Sequence, residues 1–182
     1  ESLGFYPSDV FVKQLTPAVR KKIQIGIAHH MRLFQPKTWW APMDRVATSL
    51  TDRAWNQQTI EGFSKGQAKI WIPGAKKIDE DPVLSPGNPG LDFLGINYYG
   101  RSLVAFEWKA PFVVVSEGPR VPKNDMGWEI YPEGICHVLK DLSKYKKPIY
   151  ITENGIADGQ DELREKFIKE HLRWVWQAIH DS

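Results

Sequence analysis

The spacing of apolar residues switches repeatedly between strand-like and helix-like along this chain. Between Lys22 and Ala28, Ile23, Ile25 and Ile27 alternate with Gln24, Gly26 and Ala28, the period of a strand. The pattern runs into His29-His30-Met31-Arg32-Leu33-Phe34-Gln35, and Pro36 ends it because proline brings no N–H to a ladder. Residues 44–68 read as helical, with Ile60 and Phe63 on one side and Thr51 or Asp52 placed to cap a turn ahead of Ala54-Trp55-Asn56. Leu91 to Tyr99 is a near-continuous apolar run, which suits a strand buried on both faces of a parallel sheet. Pro132-Glu133-Gly134 opens a helix in which Ile135, Val138, Leu139 and Leu142 recur at three- and four-residue spacings. Ile149 to Thr152 is a third strand. From about Glu162 a last helix sets Leu163, Phe167, Leu172, Val175 and Ile179 on one broad face.

Strands alternating with helices imply right-handed parallel βαβ units and an α/β fold. Between them, residues 1–22 read as irregular, with Asp9 to Val12 a short extended piece or docking loop. Residues 73–90, rich in proline and glycine, read as a loop. Residues 100–127 read as an insertion, with Leu103–Trp108 and Phe112–Val115 forming a hairpin outside the main sheet. Three parallel strands standing alone would leave two unpaired edges and an uncovered face.

Composition narrows the function. Lys+Arg of 24 against Asp+Glu of 22 leaves a net charge of +2, too small a bias for nucleic acid or an anionic membrane surface. No apolar run approaches the roughly 18 residues of a membrane span. A lone cysteine, Cys136, excludes an internal disulfide; it reads as a buried thiol in a reducing, cytoplasmic setting. Eight tryptophans admit two readings, ordinary packing or flat platforms for sugar rings. The adjacent His29 and His30 point to opposite faces of a strand and so do not share a metal ion, and no cysteine or carboxylate cluster supports zinc.

The strongest chemical signal is Ile149-Tyr150-Ile151-Thr152-Glu153-Asn154-Gly155: a carboxylate at the end of a strand, before a sharp Asn-Gly turn. Barrel enzymes place catalytic groups at such strand ends. A glutamate there, taken alone, is more often a solvated side chain. Four stretches together resemble glycoside hydrolase family 1, the β-glucosidase and β-galactosidase group. They are this segment, Asp92 to Tyr99, Asp125 to Gly134, and Ile23 to Ile27, in the family's order.

The resemblance implies a (β/α)8 TIM barrel, of which residues 1–182 form one partial catalytic domain covering roughly strands five to seven. It implies a retaining mechanism with Glu153 as nucleophile and a second carboxylic acid about 5–5.5 Å away as acid and base. Tyr99 matches the family tyrosine that hydrogen-bonds the nucleophile, and Asn97 the asparagine near the sugar; His30 and Trp128 are expected to line the pocket. Taken singly, Tyr99 and Trp128 read as packing residues, and Trp39-Trp40 as loop packing. The partner is a small β-glycoside, with no cofactor, metal, nucleic acid or membrane; the rest of the barrel, or a second copy of the chain, is expected to cover the open edges. The family's Asn-Glu-Pro, which carries the acid/base glutamate, does not occur in the sequence. The 182 residues by themselves are therefore expected to be inactive, and the competing reading is a truncated half-barrel that at most binds sugar weakly.

Overall fold

The computed structural model describes residues 16–20, 23–65, 68–70, 78–80, 91–109, 112–118 and 121–181. After a single helical turn at Pro17–Arg20 comes strand β1, Gly26–Pro36. Helix α1, Pro42–Asp52, passes through a π-helical turn, Arg53–Gln57, into α2, Gln58–Lys65. Two short strands follow, β2 (Ala68–Ile70) and β3 (Ile78–Glu80), then β4 (Phe93–Phe106) and β5 (Val113–Ser116). Helix α3 (Glu133–Leu142), strand β6 (Ile149–Glu153) and helix α4 (Arg164–His180) complete the order. β4 lies between β1 and β6 and is parallel to both. Among the described residues no helix is long and apolar enough to cross a membrane.

Burial along β4 explains its central place. Leu94, Ile96, Tyr98, Gly100, Ser102 and Val104 are buried, and the odd positions from Asn97 onward are half-buried. Successive side chains leave a strand on opposite faces, so the even set makes one dry face. Leu94, Ile96 and Tyr98 meet Met31 of β1, Ile60 of α2, and Ile135, Val138 and Leu142 of α3 in the main core. The Tyr98 hydroxyl, inside this layer, donates to the Tyr131 carbonyl at 2.7 Å. Gly134 permits that contact, since a Cβ there would lie 1.9 Å from the hydroxyl.

Four expectations need correction. β4 runs on to Phe106, so β5 pairs antiparallel with its far end inside the main sheet, not in a separate hairpin. Val104, buried with Phe34 and Ala47 in a second small core, extends the strand beyond its apolar run. Ile78–Glu80, within the stretch read as loop, pairs with Ala68–Ile70 as an isolated two-stranded ribbon. On α4 the inward stripe is Phe167, His171, Trp174 and Ala178, with Val175 beside it, whereas Leu172 and Ile179 are exposed. The 4-3-4 spacing of that stripe passes through a histidine, which hydrophobicity counting assigns to the surface. Trp39 and Trp40, read as loop packing, are 78% and 69% exposed. Asp9 to Val12 lie outside the described residues.

Candidate active site

The parallel strands deliver their side chains to one rim. β6 ends in Glu153, which sits opposite Asn97 of β4 after a slip in the pairing between Ile96 and Asn97. Tyr99, two residues on and therefore on the same face of β4 as Asn97, donates its hydroxyl to Glu153 Oε2 in a short hydrogen bond. That bond, then partial burial and the nearby negative charge, raise the Tyr99 phenol above its ordinary value, so it stays a donor. Asn97 Oδ1 accepts from Thr152 Oγ1 at 2.6 Å, and Thr152 also reaches the Ile96 carbonyl at 3.1 Å. Asn154 Nδ2 donates to the Tyr98 carbonyl at 2.8 Å, which fixes the turn leaving Glu153.

β1 supplies the other side. His30 meets the edge of Tyr99 with ring centroids 5.5 Å apart, and Trp55 of the π turn at 6.3 Å. Burial first, then the Arg32 guanidinium, hold the His30 ring below the usual histidine range, against an opposing pull from Glu153. His29 faces away, its Nε2 3.0 Å from the Trp55 carbonyl; the pair does not converge. Among the described residues no group of three or more His, Cys, Asp or Glu is placed to hold a metal ion.

Trp128 lies edge-on to Tyr99, centroids 6.0 Å apart. A cavity of about 300 Å³ opens between them, bounded also by Asn124, Met126, Ile156, Ala157 and Arg164. Glu153 stands beside this cavity, outside its lining, at the exposed end of β6. Asn124 builds the Trp128 wall: its Oδ1 accepts from the N–H groups of Met126 and Trp128, both at 3.0 Å, around Gly127 at φ +77°. Asp125 carries the opposite wall, accepting from Gly159 N–H at 2.7 Å while its own N–H meets the Ala157 carbonyl. Asp158 Oδ2 accepts from the N–H groups of Leu163 and Arg164, so it caps α4 and ties the wall to that helix.

The structure thus gathers Glu153, Tyr99, Asn97, His30 and Trp128 at one rim. Sequence reading missed Asn124 and Asp158. Both had a signal, Asn124 three residues before a glycine and Asp158 shortly before the last helical run. It also missed the ionic layer behind the site. There Arg32 Nη2 donates to Glu117 Oε1 at 2.6 Å, and Arg101 donates to Glu129, which is 2% exposed. These partners lie 85 and 28 residues apart, and no local pattern announces them.

Comparison with known proteins bears on this arrangement. The model of glycosyl hydrolase family 1 matches residues 11–182. Beta-glucosidase A of Thermotoga maritima is 41% identical over 126 residues, 63% of this chain and 27% of that protein. Beta-galactosidase of Sulfolobus acidocaldarius is 34% identical over 91% of this chain and 33% of its own length. Among solved structures, a beta-glycosidase from Pyrococcus horikoshii superposes with a TM-score of 0.75 at 32% identity, covering 91% of this chain and 37% of that one. A beta-glucosidase from Thermotoga maritima in complex with glucoimidazole gives a TM-score of 0.71 at 28% identity, covering 87% and 39%. The chain spans about a third of the length of these relatives, and its sheet corresponds to part of their TIM barrel.

Proposed function

The chain belongs to glycosyl hydrolase family 1, and from that premise we propose that the intact protein hydrolyses terminal β-D-glycosidic bonds of glucosides or galactosides with retention, using Glu153 as nucleophile. The observation that carries this reading is the hydrogen bond from Tyr99 to Glu153 at the rim where β4 and β6 end. A nucleophilic carboxylate must be ionised and aimed. The phenol occupies Oε2, and Oε1, which accepts no hydrogen bond among the described residues, attacks the anomeric carbon as the glycosidic bond breaks. The departing oxygen takes a proton from a second carboxylic acid, which then activates water to release the sugar from Glu153.

Asn97 pairs with Glu153 across the strands and His30 packs against Tyr99, and His30, its pKa held low mainly by burial, offers the sugar a hydrogen bond without a competing positive charge. Trp128 is the flat wall against which a pyranose or an aglycone stacks. No Asn-Glu-Pro occurs in this sequence, so in this mechanism the acid comes from a segment outside it. General acid catalysis is commonly worth about 10² to 10⁴ in rate, so the 182 residues assayed alone are expected to give no measurable hydrolysis of an aryl β-glucoside.

Glu153→Gln in the intact protein tests the assignment. Turnover of an aryl β-glucoside should fall on the order of 10⁴-fold with little change in melting temperature. An activated 2-deoxy-2-fluoro-glucoside, which slows the second step, should add one sugar to the peptide holding Glu153. Normal turnover by the variant, or a label on another peptide, would remove Glu153 from the mechanism.

A further inference from the structure

The pairing of β1 with β4 slips between Met31 and Leu33, and Arg32 stands at the slip without a position in the ladder. Its backbone N–H and carbonyl each need a partner elsewhere. Asn56 provides both: Oδ1 accepts from the Arg32 N–H at 3.3 Å, and Nδ2 donates to the Arg32 carbonyl at 2.8 Å. A carboxamide carries acceptor and donor side by side, as the peptide group of a neighbouring strand does. Asn56 is 3% exposed, and Nδ2 also donates to Asp52 Oδ1 at 2.7 Å, which fixes the orientation of the amide.

The π turn is what brings this side chain to β1. Asn56 and Trp55 both belong to it, and Trp55 Nε1 donates to the His30 carbonyl at 2.9 Å. Two consecutive turn residues therefore grip β1 on either side of Met31. Such turns within α-helices frequently accompany functional sites.

The Arg32 side chain carries the effect across the sheet. Its guanidinium reaches Glu117 Oε1 and lies 5.8 Å from the centre of the Trp128 ring. The other oxygen of Glu117 accepts the N–H of Glu129 at 2.9 Å, one residue beyond Trp128. The path from Asp52 through Asn56, Arg32 and Glu117 thus ends at the cavity wall.

We propose that Asn56 is a positioning residue for sugar binding. By holding β1 at the slip it sets the Arg32 guanidinium, and through it the Trp128 wall, at the height a bound ring requires. This rests on the glycosidase reading given above.

The test is steady-state kinetics of the intact protein on an aryl β-glucoside, with active sites titrated so that only folded enzyme is counted. Asn56→Ala should raise KM about tenfold while kcat per titrated site stays within about threefold, and the Ki of a competitive glucose analogue should rise by the same factor as KM. Arg32→Ala should reproduce this, and the double variant should be no worse than Arg32→Ala alone, because both act through one link. Asp52→Asn keeps an acceptor for Asn56 Nδ2 and should raise KM only about two- to threefold; it carries the test if Asn56→Ala does not fold. An unchanged KM with fewer titratable sites would reduce Asn56 to a structural support and overturn the proposal. Additive effects of Asn56→Ala and Arg32→Ala would overturn it too. Failure of the glycosidase reading itself is separate, appearing as full turnover by Glu153→Gln.

Discussion

On one face of β4, Leu94, Ile96 and Tyr98 turn toward α2 and α3 and are almost fully enclosed. On the other, Asn97, Tyr99 and Arg101 meet Thr152, Glu153 and Glu129, all polar partners. The same seven or eight residues of chain therefore hold the fold with one set of side chains and carry the candidate site with the other. Burial of apolar surface stabilises the first set, and it tolerates no cavity. Asn97 and Tyr99, with Thr152 and Glu153, are half-buried or exposed, and their hydrogen bonds add little net stability. Stability and activity should then be separable by substitutions one residue apart.

The largest expected effect lies on the dry face. Ile96→Ala removes a side chain with no exposed surface and should lower the unfolding free energy by about 2–5 kcal/mol in chemical denaturation. An equal loss of stability from Asn97→Ala would break the comparison. Gly134→Ala, which drives a methyl group into the Tyr98 hydroxyl, should cost about 1–3 kcal/mol, measured the same way. Tyr99→Phe should do the reverse. It removes one hydrogen bond to an ionised carboxylate, so kcat of the intact protein should fall about 10- to 100-fold at an unchanged melting temperature.

The smallest effect sharpens the comparison at its weak point, a histidine in the dry layer. His171 Nδ1 meets the Phe167 carbonyl, while its buried Nε2 has no hydrogen-bond partner among the described residues, and burial lowers its pKa from the ordinary 6.5. As pH falls below 6.5 the unfolded chain takes up a proton that the folded chain refuses, so stability drops from there down to the depressed folded value and is unaffected above 6.5. The melting temperature should fall by roughly 2–5 °C between pH 7.5 and 5.5, and His171→Gln should flatten that slope. His29 and His30, also held low, leave a residual slope.

The elements that were legible in the sequence are those set by local period. Leu91 to Tyr99, the helix opened by Pro132 and the strand ending in Glu153 all stand where alternation or proline placed them. What escaped was decided by distant partners. The far half of β4 exists because β5, Phe34 and Ala47 cover it. The inward stripe of α4 includes His171 because Tyr98 and Phe167 make room for its ring. At the site, Glu153 and Tyr99 were singled out from motifs, and Trp128 only as a residue expected to line a pocket, without the Asn124 turn that builds its wall. The clamp of Asn56 on Arg32 spans 24 residues between a helix and a strand, and neither segment shows it alone.

Tyr98 and Tyr99 are neighbours in the chain, yet one braces the helix layer through Tyr131 and the other steadies Glu153. Adding or deleting a single residue between Gly95 and Asn97 would exchange their places, putting a strut in the pocket and a hydrogen-bonding phenol in the floor. Length variation among descendants of this chain should accordingly collect after Phe106 and spare that short stretch. The residue count there is as strictly constrained as any side chain it carries.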